Sequence, residues 1–224
     1  MCCFGNDRVI FGNSRAIYGI ALPGDNRAFL AKQLKNNNLQ ILNYSMQDHF
    51  EIVEYNPAWR GSFLAERERI KNYPFETIAI EHVGSTAIPG QWAKPVIDIF
   101  IAVSVLEDVS YYESILLKPD YSFIKTSMTG RLLFAKHSNG IWTHNLHILP
   151  YSGSFYSRNE FLFLDYLKTH NDLVIQYGKL KQELKEDPDL SIEEYTSLKT
   201  DFIQMVVDLA RKEKGLPWEN VWEE

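Results

Sequence analysis

The chain has 224 residues, 45% of them hydrophobic and 23% charged, enough to bury one sizeable core carrying an appendage. Its 23 Lys and Arg stand against 29 Asp and Glu, and the net charge of −6 excludes broad binding to a nucleic-acid backbone as an expectation. No apolar run approaches the roughly eighteen residues that a membrane span needs, so no membrane partner and a cytoplasmic location are expected.

Residues 1–48 are rich in Asn and Gly and read as an N-terminal extension whose role the sequence does not state. The adjacent Cys2 and Cys3 have no second pair to bond with, which fits a reducing compartment. Lipid attachment at these cysteines would need an apolar signal or an acylation motif, whereas the charged and turn-forming "FGNDRVIFGNSR" follows, so they are expected to be incidental thiols. Asp25 is positioned to cap a short helix through "NRAFLAKQLKN", which the Asn36-Asn37-Asn38 run would stop.

The main domain is read over 49–214, with 215–224 as a tail. "EIVEY" is a short strand by pattern. "NPAWRGSFLAERERIKNY" is then a helix with Asn56 at its N-cap, Pro57 opening it, Trp59, Phe63 and Ile70 on the buried side and Arg60, Glu66, Arg67 and Glu68 on the solvated one. "ETIAIEHVG" alternates as a strand ending at Gly84, and "KPVIDIFIAV" is a second, more deeply buried strand. "VLEDVSYYESILL" is helical, "YSFIKT" and "RLLFAKH" form a hairpin around Met128-Thr129-Gly130, and "IWTHNLHILP" is a further strand. Three helical segments follow, "RNEFLFLDYLKTH", "DLVIQYGKLKQELKE" and "IEEYTSLKTDFIQMVVDLARKEK", the last two separated by Asp187-Pro188-Asp189. Strands followed by helices make an α+β domain, with a mixed sheet flanked by helices and a C-terminal helical segment.

Three constellations carry possible chemistry. The turn Gly84-Ser85-Thr86 has the residue types that let backbone N–H groups and hydroxyls converge on phosphate, and the same types make an ordinary tight turn. In "PVIDIFIAV", Val96, Asp98, Phe100 and Ala102 share one face and Ile97, Ile99, Ile101 and Val103 the other. A carboxylate in that position needs a partner: either Mg²⁺ shared with substrate phosphates, or backbone N–H groups and a cation such as Lys94. On the later strand Trp142, His144, Leu146 and Ile148 fall on one face and Thr143, Asn145, His147 and Leu149 on the other, so Asn145 and His147 are the pair for a polar cavity. Arg131, Lys136 and Arg158 are candidate phosphate contacts, while Glu183, Glu186, Glu193 and Glu194 read as solvated helix faces.

Taken in order, "EIVEYNPAW", "IEHVGSTAIPGQWAKPVIDIFI", "GRLLFAK", "HNLHI", "FLFLDYLKTH" and "YGKLKQELKE" resemble the GrpB family, from about Glu51 to Arg211. The resemblance implies a nucleotidyltransferase-like, polymerase-β-type fold, whose pattern is a Gly-Ser turn, a strand with two carboxylates one residue apart, and a third carboxylate on a later strand. Gly84 and Ser85 match the turn and Asp98 the first carboxylate. The second falls at Phe100, and the later strand offers Asn145 and His147 in place of an acid. A further departure is Leu164, where relatives tend to have Arg, with Lys168 keeping a positive charge one turn on. The resemblance implies Mg-dependent transfer of a nucleoside monophosphate from an NTP to an unknown acceptor. Asp98 and His147 would be the catalytic and metal-binding residues, and Gly84, Ser85, Thr86, Lys94, Arg131, Lys136 and Arg158 would contact the nucleotide or another phosphorylated small molecule. The alternative is an accessory module that keeps the fold and a phosphate pocket without the transfer chemistry.

Overall fold

The computed structural model describes residues 51–116, 120–186 and 192–221, without the side chains of residues 192 and 193. The thiols at Cys2 and Cys3, the helix expected after Asp25, the Asp187-Pro188-Asp189 break and the Glu193 side chain lie outside the described residues. The described elements are α1 (Ala58–Lys71), β1 (Ala79–Val83), β2 (Ile97–Val103), α2 (Val109–Ile115), β3 (Tyr121–Ile124), β4 (Leu132–Ser138), β5 (Ile141–Pro150), α3 (Asn159–Thr169), α4 (Asn171–Lys185), α5 (Ile192–Leu198) and α6 (Thr200–Glu213). The strands form one mixed sheet in the order β1-β2-β5-β4-β3. The central pair β2 and β5 is parallel and every other pair antiparallel. This is the α+β class expected from the sequence.

Alternation on β2 separates two cores. Ile97, Ile99, Ile101 and Val103 join Leu146 and Ile148 of β5 beneath Trp59, Phe63 and Ile70 of α1 and Tyr112 of α2. On the opposite face Phe100 and Ala102 pack with Val83, Leu149, Phe155 and Phe161. A third cluster ties α3, α4 and α6 together around Phe163, Leu167, Val174, Tyr177, Val206 and Val207. It also holds Ile88, the residue just after the Gly84 turn, so the turn is anchored to the C-terminal helices as well as to the sheet. At ~1.5–3 kcal/mol for each large apolar side chain fully buried, these clusters are what hold the turn in place.

Four local expectations are corrected. "EIVEY" forms a single bridge, Val53 to Ala93, and no strand. Asn56 does cap α1, its Oδ1 accepting from Ala58 N at 2.9 Å. Glu66, however, lies in the buried stripe of that helix at 4% exposure, because 59, 63, 66 and 70 are successive positions on one helical face. Its carboxylate is satisfied there by the Lys136 ammonium and the Tyr121 hydroxyl. Trp142 departs from strand alternation: His137 pairs with Trp142 but Lys136 with His144, so Thr143 is an extra residue, and the bulge sends the indole to Asn145's side. The last helical segment is two helices, α5 and α6, broken at Lys199. Past α6, residues 215–221 fold back on the domain. The buried Arg211 donates to Asn159 Oδ1 at 2.9 Å and Pro217 O at 2.8 Å, and Val221 N donates to Gln204 Oε1 at 2.9 Å.

Candidate functional site

β1 runs antiparallel to β2 with Val83 opposite Asp98, so the chain must turn away from the sheet directly over that carboxylate. Gly84 makes the turn with φ 71° and ψ −175°, a conformation essentially confined to glycine. A Cβ at this position would lie 2.3 Å from Asp98 Oδ2 and 3.0 Å from Cγ. Glycine is required twice over here, by its backbone angle and by the closeness of the carboxylate.

Parallel pairing sets Asp98 of β2 beside Asn145 of β5, and both point to the same face. Asn145 Nδ2 donates to Asp98 Oδ1 at 2.8 Å, while Asn145 Oδ1 accepts from Trp142 Nε1 at 3.0 Å. The two bonds fix the amide, and the amide fixes the carboxylate. His147, two residues further along β5, brings Nε2 to 3.9 Å from Asp98 Oδ1, beyond hydrogen-bond distance but within the span of one shared ion. Its Nδ1 is buried without a hydrogen-bond partner among the described residues. Lys94 lies with Nζ 3.2 Å above the centre of the Trp142 ring, so its charge sits at the edge of the same network.

Two further lysines come from the helical cap. Lys181 of α4 is only 2% exposed, with Nζ 3.2 Å from Ser85 Oγ and 4.2 Å from the Tyr177 ring centre. Burial, assisted by the charge of Lys199, holds its ammonium well below the ordinary lysine range. Lys199, at the α5–α6 break, packs on Tyr195 at 4.0 Å. Burial pushes it down to about 8, with Asp98 opposing that shift and Lys94 adding to it. Burial shifts the Tyr177 phenol upward, an effect that the neighbouring Ser85 opposes. Of these lysines, Lys199 interacts electrostatically with Asp98 and with Lys94, while Lys181 is set on the Ser85 side of the turn.

The other sequence-derived candidates are distributed differently. The Thr86 hydroxyl is buried in the turn, 2.9 Å from His82 Nε2, and His82 stacks on Phe63 at 4.9 Å. Burial pushes His82 down to about 4, which keeps the ring neutral. Arg131 and Arg158 gather at Glu160, with Arg131 Nη1 2.8 Å and Arg158 Nε 3.6 Å from its carboxylate. The Arg131 guanidinium also lies 5.4 Å from the Phe100 ring, so it borders the Asp98 face. Lys136 is on the opposite face, paired with Glu66, and is not brought to the site. Phe100 is 1% exposed, in ring contact with His147 at 5.3 Å and Phe161 at 5.7 Å. Leu164 belongs to the helical core, and Lys168 is at the surface beside Asp165 at 3.4 Å. A separate cleft of about 270 Å³ along β1, bordered by Arg67, Lys71, Ile78, Glu81 and Tyr156, does not include Asp98.

Sequence reasoning missed Lys181, Lys199 and Tyr177. For Lys181 a signal exists: it continues the buried stripe of Val174, Tyr177 and Gly178 at helical spacing, and a lysine on such a stripe requires a reason. Lys199 had none, because the helical period runs straight through the break.

Among the described residues no group of three or more His, Cys, Asp or Glu is placed to hold a metal ion, and no helix is long and apolar enough to cross a membrane. A family profile described as GrpB protein matches residues 49–208. The chain is 31% identical over 204 residues to the protein YqkA of Bacillus subtilis, covering 90% of this chain and 59% of that one, so it spans less than two thirds of that relative's length. It is 30% identical over 163 residues to the glutamate-rich protein GrpB of Alkalihalophilus pseudofirmus, covering 70% of this chain and 93% of that one. The crystal structure of conserved protein GrpB from Enterococcus faecalis superposes with a TM-score of 0.66 at 28% identity, covering 74% of this chain and 99% of that one.

Proposed function

Because the chain belongs to the GrpB family over the stretch that carries the turn, both site strands and the helical cap, we propose that it binds a nucleoside triphosphate as its magnesium complex and transfers the nucleoside monophosphate to an acceptor hydroxyl. The observation that carries this reading is the contact between the Gly84 turn and the Asp98 carboxylate, with Lys199 near enough for its charge to interact with that carboxylate. A carboxylate that can hold a cation, next to a turn carrying hydroxyl groups and within reach of the Lys199 charge, suits a polyphosphate delivered with its cation.

The donor set suits one cation and not two. Asp98 supplies one carboxylate, and Mg²⁺ commonly takes one or two carboxylates and completes its shell with water and substrate phosphates. The second ion of a two-metal site has no ligand at position 100, where a buried phenylalanine packs on His147. When bound, the ion would neutralise charge on the phosphates and polarise the phosphorus under attack. Lys94 and Lys199 would balance the charge that a second ion balances in two-carboxylate relatives of the fold, and Ser85 would orient the phosphate chain. His147, whose Nδ1 lacks the partner that usually orients a metal-ligating imidazole, is better suited to take the acceptor's proton at Nε2 than to grip metal. The acceptor oxygen bonds the α-phosphorus, the bond to the leaving pyrophosphate breaks, and the acceptor's proton ends on His147.

Phe100 favours a second reading, a nucleotide- or phosphate-binding module without transfer. The two are separated by incubating the protein with each α-labelled NTP and a small-molecule extract of cells. Labelled product and pyrophosphate that depend on Asp98 support transfer, whereas tight binding with no pyrophosphate from any NTP supports the binding module.

A further inference from the structure

β1 is an edge strand: it pairs with β2 on one side and, among the described residues, with no strand on the other. The cleft of about 270 Å³ beside it is lined by every residue from Thr77 to Glu81. Successive side chains of a strand point to opposite faces of its sheet, so a hollow that touches all of Ala79, Ile80 and Glu81 lies over the open edge and not over one face. At such an edge alternate residues turn their backbone N–H and C=O groups outward, where an added strand can pair with them. The two walls of this trough differ. On one side α1 lies along β1, with Phe63 stacked on His82 at 4.9 Å and Arg67 and Lys71 bordering the cleft. On the other, the Tyr156 hydroxyl donates to Glu81 Oε1 at 2.9 Å. Arg67 is half-buried and takes part in no ion pair among the described residues. The exposed Lys71 reaches only Glu68, at 2.7 Å, a surface pair that a competing carboxylate can replace at little cost. Ile78, 46% exposed, and Tyr156, 53% exposed, leave the trough accessible.

We propose that the open edge of β1 docks an extended segment of a partner protein, with acidic residues at alternate positions, which joins the sheet as a sixth strand. The spacing of the basic wall sets the pattern. Residues four apart on a helix have Cβ atoms roughly 5–6 Å apart, and residues two apart on a strand are spaced about 6.7 Å, so Arg67 and Lys71 match two same-face carboxylates of the added strand. Its intervening side chains face the Tyr156 wall, where the carboxylate of Glu81 disfavours a third acid. Charge also decides against the two occupants that this chain could supply. Pairing β1 with β1 of a second copy, so that the sheet continues, sets two basic α1 walls side by side. Residues 1–48 carry five Lys and Arg against three Asp and Glu, the wrong sign for this wall. Neither Asp98 nor the nucleotide takes part in the docking, so it stands or falls separately from the reading above.

The test selects peptides from a random phage-displayed library on the immobilised full chain, with the double variant Arg67→Glu, Lys71→Glu as the counter-target. Sequences with Asp or Glu two positions apart are expected to enrich on wild type and not on the variant. A fluorescein-labelled peptide of the selected sequence should then bind the double variant at least ~10-fold more weakly by anisotropy, and weaken on wild type as salt rises. The milder pair Arg67→Gln, Lys71→Gln should weaken it in the same direction, and circular dichroism verifies that both variants are folded. Hydrogen exchange reads the strand itself: bound peptide should slow exchange of β1 amides. Methylating the peptide's backbone nitrogens in one alternate set should abolish binding, and in the other set leave it intact. Equal enrichment on wild type and double variant, or selection of sequences without acids, overturns the proposal. So does an acidic peptide that binds without protecting β1, which would make the wall a charged surface and not a strand-docking edge. Sedimentation showing a concentration-dependent dimer whose β1 amides are protected would put a second copy in place of the partner and overturn it as well.

Discussion

Gly84→Ala tests the tightest contact of the site. The added methyl would sit 2.3 Å from Asp98 Oδ2, and the residue would have to keep φ at 71° with ψ near 180° or give up the turn. Holding a non-glycine residue in that region costs ~1–3 kcal/mol. Relieving the overlap by moving Asp98, which Asn145 holds at 2.8 Å, costs about 1–3 kcal/mol more by analogy with overpacked cores. At roughly 2–4 °C per kcal/mol for a chain of this size, the melting temperature should fall by roughly 5–20 °C. Gly90→Ala is the internal control. It also has positive φ, at 77°, but nothing lies within 4 Å of its Cβ position, so only the backbone penalty of ~1–2 kcal/mol applies. Thermal unfolding by circular dichroism on both variants reads the difference. If Gly84→Ala melts within the error of Gly90→Ala, the close packing of the turn on Asp98 is wrong.

Three further predictions concern charge. Lys199 has a folded value of about 8 against the ordinary 10.5, so the unfolded chain binds more protons between those limits. Its penalty is therefore fully present below about 8 and relieved as pH rises towards 10.5; relative to Lys199→Met, wild type should gain stability over that interval, measured by urea midpoints. Glu66→Ala leaves Lys136 buried without its partner and should cost about 3–5 kcal/mol in urea unfolding, whereas Glu66→Leu combined with Lys136→Met should recover most of the loss. Asn145→Asp sets two carboxylates at hydrogen-bond distance; its melting temperature should fall at pH 7 and recover with added magnesium, and a variant indifferent to magnesium would show that the face cannot hold a cation.

What was legible followed from strict periodicity. On β2 and the second half of β5 the two-residue alternation assigned every side chain to its face, which is why Asp98, Asn145 and His147 could be read as neighbours. Trp142 escaped because one extra residue in the β4–β5 pairing reverses the alternation beyond it, and nothing at Thr143 announces a bulge. Glu66 and Lys181 escaped for a different reason. Each is a charged residue on a buried helical stripe whose partner comes from a distant element, Lys136 of β4 for the first and Ser85 of the turn for the second. Lys199 depends on a helix break with neither glycine nor proline to mark it.

On the proposed reading, the Gly84 turn and Asp98 form the binding site for a magnesium–nucleotide complex. Calorimetric titration of each NTP with and without Mg²⁺, on wild type and Asp98→Asn, tests it most directly. The account predicts binding by wild type that weakens at least tenfold without Mg²⁺, and a similar weakening for Asp98→Asn that Mg²⁺ no longer relieves, the difference of ~1.4 kcal/mol expected from losing one charge-assisted contact. Equal affinity of both proteins with and without Mg²⁺, or no heat with any nucleotide, would contradict it.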